Sequence, residues 1–190
     1  EEAKKQLDKP LLWYKINNKY KFYSWRVVKN KINLLSLKLI KLGLKKGDKV
    51  IIISENNPNW FITDFAIMHA GGITVPAYTT YTKKDYEYLI KDSEAKMAFI
   101  SNKKLFLNFL PAIKNTKQIK NIFSYEKISQ DVNENIIFLE DVWKDKIKKE
   151  NVKIKITEDD PACIIYTSGT SGVPKGVILT HKSICSNLIG

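Results

Sequence analysis

The chain has 190 residues, 44% of them hydrophobic and 11% aromatic, which is enough to bury a substantial core and excludes a disordered chain. Lysine plus arginine outnumber aspartate plus glutamate by 32 to 20, yet Arg26 is the only arginine, so the charge of +12 lacks the guanidinium forks that read bases and phosphates bidentately. A sequence-specific nucleic-acid reader is therefore disfavoured; the wealth of lysine, asparagine and isoleucine fits an AT-rich coding sequence, and a basic face still raises encounter rates with anionic ligands or membranes.

The first predicted element is a helix beginning at Ser24, with apolar Val27, Val28, Ile32, Leu35, Leu39 and Leu42 lining one face and Gly43 closing it. After Lys46-Gly47-Asp48, the β-branched run Val50 to Ile53 reads as a strand covered on both faces. Asn57 can cap a helix whose first residue is Pro58, where a missing N–H costs nothing; this helix ends near Gly71-Gly72, and Ile73 to Val75 is the next strand. Thr82 to Asp85 resembles a capping box, opening a helix to about Ser93, and Met97 to Ile100 is a third strand. Between Lys103 and Asp160 the pattern supports a helix near Leu105 to Ile113, a strand near Ile119 to Phe123 and a helix near Leu139 to Glu150. Strands resume at Ala162 to Tyr166 and at Val177 to Leu179. Strand and helix in alternation imply an α/β fold: a largely parallel sheet with right-handed crossovers and flanking helices. No repeat and no linker divides the chain.

Cys163 and Cys185 have neither metal-ligand spacing nor the number of a disulfide framework, which points to a reducing, cytoplasmic setting. The opening EEAKKQLDKP is too charged for a signal peptide. Trp60 to Tyr78 is long enough to span a bilayer but is interrupted by Asp64, His69 and Gly71-Gly72, so it reads as a buried helix and strand; any membrane contact is expected to be peripheral.

The residues between the last two strands, Thr167-Ser168-Gly169-Thr170-Ser171-Gly172-Val173-Pro174-Lys175-Gly176, are chiefly glycine, hydroxyl residues and one lysine. Glycines let backbone N–H groups approach an anion, hydroxyls add neutral donors, and a lysine neutralises charge, which together suit a polyphosphate. This is not a Walker A loop, because Pro174 precedes Lys175 and a strand-like run follows where that pattern needs a helix. Composition alone leaves a plain turn equally open.

The order of residues goes further. Asp160-Pro161-Ala162-Cys163-Ile164-Ile165-Tyr166 followed by that loop and Val177 closely resembles the signature of the AMP-forming adenylating superfamily, with Ser171 where threonine is commoner. Ser24-Trp25-Arg26, Leu42 to Val50, Ser54 to Trp60 and Ala70 to Pro76 also look like the opening of these enzymes, and Val75 to Thr82 with Asp92 to Lys96 is most similar to the long-chain fatty acyl-CoA synthetases. The resemblance implies ATP, Mg²⁺, a fatty acid and coenzyme A as reactants and cofactors. A carboxylate would attack the α-phosphate of ATP, and coenzyme A would then displace AMP. It implies that Thr167, Ser168, Gly169, Thr170, Ser171 and Gly172 form the phosphate-binding turn and that Lys175, with Thr167, serves catalysis at the β- and γ-phosphates. It implies that residues 1–190 are the opening portion of the large N-terminal, AMP-binding domain. The adenine, ribose, acyl, Mg²⁺ and coenzyme A residues and the C-terminal domain are expected downstream, and this portion alone is expected to be inactive. A short-chain, aryl or amino acid adenylating enzyme, a noncatalytic ATP-binding fragment and a basic surface-binding module remain alternatives.

Other conspicuous residues have plainer readings. His69 fits the end of a helix, and His181 fits a structural place at the start of one. Trp13, Trp25, Trp60 and Trp143 are expected in the core or at its edge, Tyr78 and Tyr81 at half-buried strand ends, and Lys144 to Lys149 on the solvated face of a helix.

Overall fold

The computed structural model describes residues 6–128, 136–145, 154–168 and 173–189. It opens with an antiparallel hairpin, β1 (Pro10–Ile16) and β2 (Lys19–Ser24), turned by Asn17 and Asn18 at φ 49° and 60°. Positive φ at both central residues gives the twist that a two-residue hairpin needs, and asparagine tolerates it. Ser24 then caps α1 (Trp25–Lys41), and Gly43 takes φ 92° just beyond its end, a conformation a side chain would strain.

The main sheet is built from β3 (Lys49–Ile53), β4 (Ile73–Ala77), β5 (Met97–Ile100), β6 (Asn121–Ser124), β7 (Ile136–Phe138), β8 (Pro161–Thr167) and β9 (Lys175–Thr180) in the order β7-β6-β5-β3-β4-β8-β9. Every neighbouring pair is parallel except β8 with β9. The connections carry α2 (Pro58–His69), α3 (Lys83–Ser93), α4 (Lys103–Thr116) and α5 (Leu139–Lys144), and α6 (His181–Ile189) follows β9. Asn57 Oδ1 accepts from the backbone N–H groups of Asn59 and Trp60 at 2.9 and 3.2 Å, and Thr82 with Asp85 forms the reciprocal capping box of α3.

The unbroken apolar run of β3 is explained by its two faces. Val50 and Ile52 pack against Leu35 and Leu39 of α1 and Ala66 and Ile67 of α2, whereas Ile51 and Ile53 pack with Tyr86 and Leu89 of α3 and Phe106 and Phe109 of α4. Each such side chain, fully withdrawn from water, stabilises by about 1.5–3 kcal/mol. The α/β expectation is therefore met, and the core lies on both sides of β3.

Local differences from the sequence reading have identifiable causes. The β1–β2 hairpin and β7 lack a clean apolar alternation and went unforeseen. The helix expected to reach Glu150 ends at Lys144, where Asp145 leaves helical geometry and its carboxylate takes a 2.8 Å ion pair from Lys38 of α1. Residues 146–150, with most of that lysine run, lie outside the described residues. Trp13 is not a core residue but 59% exposed, and Tyr78 is 64% exposed rather than half-buried.

Candidate phosphate-binding site

The Gly/Ser/Thr segment leaves the sheet at the carboxyl end of β8, the end where open α/β sheets hold their ligands. β8 and β9 pair so that Thr167 stands directly opposite Lys175 at the closed end of their hairpin. The two residues expected to serve catalysis are thus cross-strand neighbours, with side chains on one face and both exposed. Ser168 continues from Thr167 and is exposed as well. Gly169, Thr170, Ser171 and Gly172 lie outside the described residues.

The base of this hairpin is held from below by α3. Tyr88 Oη donates to the Pro174 carbonyl at 2.7 Å, Tyr166 Oη donates to Asp92 Oδ2 at 2.6 Å, and the two rings meet edge to face with centroids 6.3 Å apart. Burial and the adjacent Asp92 carboxylate push the Tyr166 phenol well above its ordinary range, so it remains a proton donor. Tyr81, Asp85, Leu89, Tyr88, Tyr166 and Pro174 enclose a small hollow of about 60 Å³ there. Sequence reasoning missed this support. The signal was the i, i+4 spacing of Tyr88 and Asp92, which puts both on one face of α3.

Gly176, opposite Tyr166, has no room for a side chain. A Cβ there would lie 2.7 Å from Ile164 Cγ2 and 3.2 Å from the Tyr166 ring. At the other end of β8, Lys46 Nζ meets Asp160 Oδ2 at 2.7 Å and pulls that carboxyl down to about 2. The sign follows from a depressed folded-state value: this tie supports the fold above the ordinary aspartate range and is lost as pH falls toward 2.

The histidines fall away from the loop. His181 begins α6 and donates its backbone N–H to the Asp160 carbonyl at the start of β8, about 20 Å from the loop by the rise of that strand. His69 ends α2 with Nδ1 3.3 Å from Ser36 Oγ, and burial lowers its pKa. Cys163 lies inside β8 with its thiol pushed up to about 12 by burial and by Asp64, which makes it inert as a nucleophile near neutrality.

Two larger hollows lie elsewhere along the carboxyl ends. One of about 520 Å³ separates residues 12–16 of β1 from Asn56, Asn57, Pro58 and Phe61, and one of about 340 Å³ includes Glu55, Ser101, Asn102 and Tyr125. The second has a satisfied centre, since Glu55 accepts from Ser101 Oγ and from Asn102 Nδ2 at 3.0 Å. Volume alone would favour these places; the loop is preferred because it alone combines a cation, paired hydroxyls and glycines. Among the described residues no three His, Cys, Asp or Glu side chains converge to hold a metal. No described helix is long and apolar enough to cross a membrane.

A family model described as AMP-binding enzyme matches residues 1–190. The chain is 31% identical over 190 residues to fatty acyl-CoA synthetase A of Dictyostelium discoideum, covering 90% of this chain and 26% of that protein. It is 32% identical over 169 residues to the long-chain-fatty-acid–CoA ligase FadD15 of Mycobacterium tuberculosis, covering 85% and 27%. The chain thus spans about a quarter of the length of these relatives. Among solved structures, a mutant form of coronafacic acid ligase from Pectobacterium brasiliense superposes with a TM-score of 0.82 at 20% identity, covering 97% of this chain and 34% of that one. The anthranilate CoA ligase AuaEII in complex with anthranoyl-AMP gives 0.74 at 22% identity, covering 93% and 32%. These two likenesses establish the fold.

Proposed function

The chain belongs to the AMP-binding enzyme family, and from that premise we propose that it supplies the phosphate-binding loop of an ATP-dependent long-chain fatty acid–CoA ligase. The observation that carries the reading is the pairing of Thr167 with Lys175 at the mouth of a Gly/Ser/Thr loop on the carboxyl end of β8. Relatives at about 30% identity whose names specify long-chain acyl groups favour that substrate over a short or aryl acid.

In the first half-reaction a fatty-acid carboxylate oxygen attacks the α-phosphorus of ATP. The bond from the α-phosphorus to the bridging oxygen breaks, and pyrophosphate leaves with the electron pair. In the second, the coenzyme A sulfur attacks the acyl carbonyl and AMP departs. The chain's own residues act on charge. Lys175 places its ammonium beside the β- and γ-phosphates, Thr167 and Ser168 donate hydroxyl hydrogens to phosphate oxygens, and Thr170, Ser171 and the loop glycines extend that cradle. Such preorganised donors matter most where charge develops on the leaving group. Mg²⁺, when bound with ATP, would add further charge neutralisation.

The substrate reading is tested by thioester formation with the full-length protein across acetate, benzoate, octanoate and palmitate. We expect kcat/KM to climb with aliphatic length, by up to about fourfold per buried CH₂ while the pocket is filling. A maximum at acetate or benzoate would leave the adenylating mechanism standing and overturn the long-chain assignment.

A further inference from the structure

We infer that the outward face of the β1–β2 hairpin is a docking surface for an anionic lipid bilayer, Trp13, Tyr20 and Phe22 entering the headgroup boundary and Lys15 pairing with lipid phosphates. The inference is independent of the substrate assigned above.

The register places the residues. Trp13 pairs with Phe22 and Lys15 with Tyr20, so all four project from one face of the hairpin. Trp13, Tyr20 and Phe22 are 59%, 72% and 46% exposed. The Trp13 and Phe22 rings rest 5.2 Å apart, and Lys15 Nζ lies 5.7 Å over the Tyr20 ring. The opposite face holds the hairpin down: Tyr14 and Tyr23 meet at 4.9 Å, and Lys31 of α1 sits 5.3 Å over the Tyr23 ring. The apolar rim continues past the 520 Å³ hollow to Phe61, whose ring lies tilted with its centroid 4.4 Å from that of Phe65, itself 43% exposed.

Charge selects the occupant. No aspartate or glutamate occurs between Asp8 and Asp48, a stretch that holds Lys9, Lys15, Lys19, Lys21, Arg26 and further lysines. An AT-rich coding bias does not remove acids, since both acidic residues have AT-rich codons. Aromatic rings interleaved with lysine are what a lipid interface selects, with amphipathic rings at the headgroup level and long cationic side chains reaching phosphate. A surface covered by more protein would read otherwise, because interface cores are depleted of lysine. The exposed aliphatics of β8 and β9, Ile165, Val177 and Ile178, have that second character. A nucleic-acid surface is disfavoured because Arg26 is engaged with both carboxylate oxygens of Asp8, at 2.9 and 3.0 Å, and the Trp13 and Phe22 rings are tilted by 54° against each other and offer no open stacking platform.

The test is sedimentation of the full-length protein with phosphatidylglycerol-rich vesicles and with phosphatidylcholine vesicles at physiological salt. Preferential binding to the acidic vesicles is expected. Threonine at positions 13, 20 and 22 keeps strand propensity and should weaken binding at least about tenfold. The Lys15→Gln variant, which removes the lysine of that face, should lose about fivefold, the worth of one lysine near the surface. Both variants should keep wild-type thermal midpoints and thioester turnover. Should the threonine variant fail to fold, Tyr20→Thr with Lys15→Gln alone decides, with at least about a fivefold loss expected. Equal sedimentation of wild type and variants, absence of vesicle binding, or a DNA duplex held as tightly and lost in the same variants would each overturn the inference.

Discussion

Lys175→Ala in the full-length enzyme should slow single-turnover adenylation by about 10²–10³-fold, the scale on which one preorganised charge or donor at a reacting centre acts. Lys175 is exposed and its ammonium has no partner among the contacts of the described residues, so little folding energy is at stake and the thermal midpoint should move by no more than about 0.5 kcal/mol of equivalent stability. The contrast separates a phosphate role from a structural one. A Lys175→Arg enzyme keeps the charge but broadens the head group, and recovery of part of the rate would assign the loss to charge. Equal adenylation rates in wild type and Lys175→Ala would remove the residue from the reaction.

Gly176→Ala should be costly for the opposite reason. The added methyl group would meet Ile164 Cγ2 at 2.7 Å and the Tyr166 ring at 3.2 Å, and either the paired strands separate or those side chains move. Overpacking of this kind destabilises by about 1–3 kcal/mol. Because Tyr166 is tied to Asp92 and flanks Tyr88, the displacement is transmitted to the Pro174 carbonyl and so to Lys175. Adenylation should therefore fall along with stability. Ile164→Ala removes the colliding methyl, and combining it with Gly176→Ala should cost less than the sum of the single changes by at least about 0.5 kcal/mol, measured by denaturant unfolding. Strict additivity would show that the collision is relieved elsewhere.

Much of this arrangement was legible from residue order because local physics dictated it. Asn57-Pro58, Thr82 with Asp85, and the four-residue β-branched run of β3 each have one favourable conformation, and each takes it. The place of the loop was readable as well, since the apolar runs ending at Tyr166 and beginning at Val177 became β8 and β9 with Thr167 opposite Lys175. What escaped was decided by tertiary contact. α5 ends at Lys144, and the Asp145 that follows it is paired with Lys38, far earlier in the chain. The buttress of Tyr88, Asp92 and Tyr166 needs α3 and β8 brought together, which spacing on α3 could suggest but only the sheet order completes. Trp13 was expected to pack because tryptophan usually does; it projects instead from the hairpin face opposite the one that meets α1. Asn17-Asn18 was the overlooked signal for that hairpin.

The central claim is that this loop serves carboxylate adenylation, and the most direct measurement is fatty-acid-dependent exchange of labelled pyrophosphate into ATP by the full-length protein without coenzyme A. The account predicts exchange that requires the fatty acid and falls with Lys175→Ala in parallel with single-turnover adenylation. Folded protein that binds ATP yet exchanges no pyrophosphate with any carboxylic acid would contradict it.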